Sequence, residues 1–126
     1  MKAEVKMQMT MRWFGPQEDK IPLEYIRQVP GVEGVVGALY DVAPGEVWPV
    51  EKIKALIEQA HAAGLKMEVI ESVNIHDDIK IGSAERDRYI DNYKQTIRNL
   101  AGFGVKVICY NFMPVFDWMK TDMNYV

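Results

Sequence analysis

The sequence is poor in the features that mark specialised chains. It has one cysteine, Cys109, in 126 residues, so no disulfide can form within the chain, and the apolar residues around it suit a reducing compartment. No apolar run approaches the roughly 18 residues of a membrane span. The opening MKAEVKMQMTMRWF lacks the apolar centre and small-residue cleavage site of a secretory signal. A cytoplasmic protein with no membrane partner is expected. Basic residues are in deficit, 15 Lys and Arg against 18 Asp and Glu, for a net charge of -3. They are interspersed with the acids, so no field gathers a polyanion and nucleic acid is not an expected partner. The chain also lacks a GxGxxG opening a helix, a Walker lysine loop, a GxSxG elbow, a CxxC pair and an HExxH pair, which argues against nucleotide-binding and serine-nucleophile enzymes.

What is there is the make-up of one soluble globular domain, 48% hydrophobic and 26% charged. Four runs read as strands, residues 6–13, 34–40, 66–72 and 105–110. The second and fourth, GVVGALY and VKVICY, are nearly continuous apolar runs, which suits parallel strands covered on both faces. The first alternates, with Met7, Met9 and Met11 set against Gln8, Thr10 and Arg12. In PVEKIKALIEQAHAAG the spacing puts Val50, Ile53, Leu56, Ile57 and Ala60 on one helical face, with Pro49 in the first turn and Gly64 as the stop. SAERDRYIDNYKQTIRNLAGFG repeats the pattern with Ile90, Tyr93, Ile97 and Leu100, Ser83 as N-cap and Gly102 or Gly104 as the end. IPLEYIRQVPG reads as a shorter helix of about two turns. Strand and helix alternate at the spacing of βαβ units, which predicts a parallel sheet with right-handed connections. After the fourth strand, NFMPVFDWMKTDMNYV is too short and too broken for a further packed helix.

In parallel α/β folds, ligands bind at the carboxyl ends of the strands. Those ends carry Arg12 and Trp13, Tyr40 and Asp41, Glu71 and Ser72, and Tyr110 and Asn111. An arginine can hold a carboxylate by two hydrogen bonds, glutamate and asparagine can hold hydroxyls, and flat rings can cover the apolar face of a sugar. The combined ligand is a polyhydroxy acid. Each residue also has a plain structural use: Arg12 pairing with Glu71, Trp13 closing the mouth, Asn111 capping a turn. His76 with Asp77 and Asp78 is the other titratable cluster. A proton shuttle or metal ligand is open to it, but consecutive residues do not converge on one ion, and loop capping is the plainer use. Cys109 reads as a small buried hydrophobe.

The segments MRWFGP, GVVGALYDVAPGEVWPVEKI, VIESVNIHDDIK, NYKQTIRNLAGFGVKVICYNFMPVFDW and KTDMNYV, in that order from about Met11 to Val126, together resemble the mannonate dehydratase family. The resemblance implies a xylose-isomerase-like TIM (β/α)8 barrel. This chain would be its N-terminal half, about β1-α1-β2-α2-β3-α3-β4, with residues 1–126 forming a single partial barrel domain truncated after the fourth strand. It further implies dehydration of D-mannonate to 2-dehydro-3-deoxy-D-gluconate in hexuronate breakdown, a homo-oligomer, and a divalent metal, Mn2+ or Fe2+. A cation suits the chemistry, because the proton leaves a carbon next to a carboxylate. The metal ligands and acid/base groups of the family belong to the later half of the barrel. No catalytic or metal residue is therefore expected here, and the chain alone is expected to be inactive. The positions carried over as substrate-binding or supporting groups are Arg12 and Trp13 in RWFG, Glu71 and His76 in ESVNIH, and Tyr110 and Asn111 in CYNFMP, with Cys109 as wall. Two alternatives stand beside this: another metal-dependent sugar-acid dehydratase or sugar isomerase, or a non-catalytic half-barrel binding domain.

Overall fold

A computed structural model describes residues 6–114. Among them, four strands form one parallel sheet in the order β1-β2-β3-β4. These are β1 (Thr10–Arg12), β2 (Gly34–Gly37), β3 (Lys66–Glu71) and β4 (Val107–Cys109). The helices between them are α1 (Leu23–Arg27), α2 (Val50–Ala62), α3 (Asp77–Ile81) and α4 (Arg86–Ala101). Parallel neighbours in sequence order, joined by crossovers of one hand, carry their helices on one face of the sheet. That is the arrangement of one side of an α/β barrel.

The two long helices form for the reason their spacing gives. On α2, Ile53, Leu56, Ile57 and Ala60 are buried, while Val50, in the first turn, faces outward. Pro49 stands at the N-cap position, just ahead of the first turn. Gly64 stops the helix at φ 74°. Its N–H bonds to the His61 carbonyl and the Leu65 N–H to the Ala60 carbonyl, at 2.9 and 3.0 Å, the paired closure that needs a left-handed residue. α4 ends in the same way at Gly104, φ 84°, with Gly104 N–H on Ala101 O and Val105 N–H on Leu100 O. Each glycine turns the chain directly into the next strand. On α4 the core face is Thr96 and Leu100. Ile97, expected inside, is exposed, because polar Thr96 takes the inward position for a bond described below. Ser83 lies before the helix and its Oγ accepts the Glu85 N–H at 3.3 Å, so α4 begins later than the sequence predicts. α3 was not expected as a helix. His76 caps it by accepting the Asp78 N–H on Nδ1 at 3.1 Å.

One hydrophobic cluster joins Leu23 and Ile26 of α1, the inner face of α2, and Leu100 of α4 to Val35, Met67 and Ile70 of the sheet. Gly34 pairs with Lys66 but Val36 with Val69, so β3 spends one extra residue in a bulge. The bulge lets Met67 and Ile70, three apart, both face the helices, where an even ladder would turn one of them away. The opposite sheet face carries the registered row Arg12, Val36, Val69 and Val107, with Glu71 beyond it. Helices cover one face of these strands, and Val107 on the other is half-exposed, so the expectation of cover on both faces does not hold among the described residues. β1 is shorter than expected. Its first pair is Thr10 with Gly34, and upstream of that pair Met7 and Met9 are exposed.

Candidate functional site

Arg12 ends β1 on the face away from the helices, and three strands converge on it. Its Nη1 donates to the Val36 carbonyl at 3.2 Å and its Nη2 to the Tyr40 hydroxyl at 2.7 Å. Its Nε lies 3.9 Å from the Glu71 carboxylate, a charge contact too long for a hydrogen bond. The guanidinium carbon sits 4.6 Å from the centroid of the Phe14 ring, within cation–π range. The Phe14 and Tyr40 rings are 6.5 Å apart at 31°. Partial burial pushes the Tyr40 hydroxyl above its ordinary pKa. Arg12 opposes this by charge and hydrogen bond, and the Glu71 and Asp19 carboxylates add to the rise. Tyr40 is therefore a neutral phenol at physiological pH. The patch offers a planar cation, a phenol and an exposed carboxylate, which together suit an anion that also carries hydroxyls.

A groove of about 300 Å³ opens on the helix side of Tyr40, lined among others by Phe14, Gln17, Asp41, Lys52 and Leu56. Lys52 crosses its rim to Asp41 at 2.6 Å, and that hydrogen bond holds the Asp41 carboxyl below the usual carboxylate range.

His76 belongs to a second cluster. Its ring stacks on Tyr89 at 3.8 Å and 12°, Asp78 stands 3.6 Å from Nδ1, and Arg88 lies over the same tyrosine ring at 5.2 Å. With Ser72, Asn74, Tyr93 and Trp48 the ring lines a crevice of about 10 Å³, which is room for about one water. Beside it, three polar side chains of α4 grip the loop before α2. Asn92 donates to Gly45 O at 2.8 Å, Thr96 Oγ1 accepts the Trp48 N–H at 3.1 Å, and Asn99 donates to Trp48 O at 2.9 Å. These residues share one helical face.

Of the six residues singled out from sequence, Arg12 and Glu71 meet directly. Trp13 is 3% exposed and part of the core, and it stands among the residues around an outer groove between the β1–α1 loop and α2. Tyr110 is exposed and Asn111 half-buried. Cys109 is half-buried, and its thiol and the Tyr110 hydroxyl both add to the rise in the Tyr93 pKa, whose main cause is burial. The Glu71–Ser72 peptide bond is cis. Among the described residues no three His, Cys, Asp or Glu side chains converge as a metal site would require. Sequence reasoning did not single out Phe14 or the grip of Asn92, Thr96 and Asn99. A polar residue at every helical turn along the inward face was the available signal for that grip.

The family model described as D-mannonate dehydratase (UxuA) matches residues 7–126. A mannonate dehydratase of Lactococcus lactis subsp. cremoris is 68% identical over 119 residues, 94% of this chain and 33% of the relative. That of Thermotoga neapolitana is 66% identical over 118 residues, with the same shares. The crystal structure of mannonate dehydratase from Streptococcus suis serotype 2 superposes with a TM-score of 0.87 at 49% identity, covering 93% of this chain and 33% of that one. The chain thus spans about a third of the length of the curated relatives it matches.

Proposed function

The chain belongs to the D-mannonate dehydratase family, and from that premise we propose that it forms the substrate-facing first strands of a hydro-lyase. The reaction takes D-mannonate to 2-dehydro-3-deoxy-D-gluconate. The observation that carries this reading is the convergence of Arg12, Tyr40 and Glu71 at the carboxyl ends of three parallel strands. Dehydration removes a proton from the carbon next to the carboxylate and a hydroxyl from the next carbon along. Negative charge therefore builds on the carboxylate oxygens before the hydroxyl departs. Arg12 is the group that binds that carboxylate and gains most as its charge rises. Tyr40, neutral, orients its phenol proton toward a substrate oxygen, and Glu71 accepts from a substrate hydroxyl. His76, Tyr110, Asn111 and Trp13 support the walls around them.

The described residues alone do not build a site for the Mn2+ or Fe2+ that the resemblance implies. In this reading the proton acceptor and the acid for the departing hydroxyl belong to the part of the relatives that this chain does not span. Among the described residues no helix is long and apolar enough to cross a membrane.

The test is to join the chain to the remaining two thirds of the Lactococcus lactis relative and assay D-mannonate with added Mn2+. The joined protein turns over mannonate and the 126-residue chain alone does not. Arg12→Ala in the joined protein lowers kcat/KM roughly 100-fold, on the scale of lost charge-assisted hydrogen bonds. Turnover confined to ketoses, or an Arg12→Ala enzyme as active as its parent, refutes the reading.

A further inference from the structure

The loop between β1 and α1, residues 13–22, is closed by one side chain. The two carboxylate oxygens of Asp19 are each taken by a backbone amide: Oδ2 by Phe14 N–H at 3.0 Å and Oδ1 by Ile21 N–H at 2.9 Å. The N–H of Asp19 itself donates to Gly15 O at 3.0 Å. Three bonds thus tie both ends of the loop to one residue in its middle. Phe14, whose amide is held in this way, carries the ring that lies under the Arg12 guanidinium at 4.6 Å and beside Tyr40. Arginine has a long, rotatable side chain, and its planar head is fixed only by what it touches. Here those contacts are two acceptors, the Phe14 face at 4.6 Å, the Glu71 carboxylate at 3.9 Å and, farther off, the Tyr40 ring at 6.0 Å. We infer that Asp19 is a positioning residue for Arg12: by holding the loop it sets the Phe14 ring, and through that ring the grip of Arg12 on a carboxylate.

Both carboxylate oxygens are occupied by backbone donors, so Asp19 acts through Phe14 and not by touching substrate. Its removal leaves two amides without their acceptor and releases the ring from beneath the guanidinium. Arg12 keeps its charge but loses the nearer of the two rings against it, so the loss falls on binding of carboxylates and spares neutral polyols.

This inference rests on the proposed function only for its enzymatic arm. In the joined enzyme, Asp19→Ala lowers kcat/KM for D-mannonate and raises Ki for D-gluconate about tenfold, while inhibition by D-mannitol stays within about twofold. Asp19→Asn, which keeps one acceptor, falls between the variant and the parent. Equal loss for gluconate and mannitol overturns the inference, as does no effect at all. The second arm needs no turnover. In the 126-residue chain the Arg12 Nε–H resonance is displaced by the Phe14 ring current, and Asp19→Ala moves it as far as Phe14→Leu does. A resonance that moves in Phe14→Leu and stays in place in Asp19→Ala overturns the inference even if mannonate is the substrate. Failure of mannonate turnover with this shift intact overturns the substrate reading alone.

Discussion

Arg12 is secured by the Val36 carbonyl, the Tyr40 hydroxyl and the Phe14 ring, which leaves Glu71 as a charged neighbour without a hydrogen bond to it. At this scale the titration of Tyr40 is the sharpest check on the site. Its folded pKa lies above the ordinary tyrosine value, foremost through burial, and that of Tyr93 does so too. A raised pKa means that the folded state favours the protonated phenol. The stability this contributes is complete below about pH 10, the unfolded value, and is lost as pH rises through the folded values. A spectrophotometric titration of tyrosinate is expected to show a phase that ionises later than ordinary tyrosine, with Tyr40→Phe and Tyr93→Phe each removing part of that late phase. A single phase centred on the ordinary tyrosine value, with neither variant altering its high-pH end, is the contrary result. Arg12 and Glu71 were legible from sequence because strand ends in parallel sheets are known ligand positions. The Phe14 platform was not, since nothing local in RWFG says which ring will lie under the arginine.

Among the elements, α4 does more than cover the sheet. Asn92, Thr96 and Asn99 hold the backbone of the loop that leads from β2 into α2, the same loop that begins just beyond Tyr40. Thr96 is buried at 1% exposure, and its acceptor serves a buried backbone N–H. Thr96→Val keeps the shape and removes that acceptor, so it costs about 1–3 kcal/mol of stability. Thr96→Ser, which keeps the oxygen, costs less. Urea unfolding of the two variants decides the matter: equal losses would trace the effect to packing and not to the hydrogen bond. The apolar periodicity of α2 and α4 was plain in the sequence, and so were their glycine stops. The exchange of Ile97 for Thr96 on the inward face was not, because periodicity ranks residues by polarity and cannot know that a loop amide waits in the core.

At the scale of the whole molecule, the sheet has a helix-covered face and an opposite face of Arg12, Val36, Val69 and Val107. In the reading proposed above, that second face lines the interior of a barrel completed by the rest of the enzyme. Val107 is half-exposed among the described residues. Val107→Asp therefore lowers the stability of the 126-residue chain by about 1 kcal/mol, the scale of strand propensity at a half-exposed position. In the joined enzyme the same change buries a charge and costs several kcal/mol, about 3 or more. Thermal or denaturant melts of both proteins measure the contrast, and equal effects in the two would count against a barrel interior at this face.

The sequence by itself determined the alternation of strand and helix, the parallel order, the stops at Gly64 and Gly104, and the placing of Arg12 and Glu71 at strand ends. These follow from local chemistry: side-chain period, glycine's freedom at positive φ, and the direction of a parallel strand. Only the tertiary structure decided that β3 carries a bulge, that Trp13 turns into the core, that His76 caps a helix and stacks on Tyr89, and that Asp19 and Phe14 stand behind Arg12. Each of these depends on partners distant in sequence or on a loop closure. Their energies come from contacts that exist only once the strands are in register.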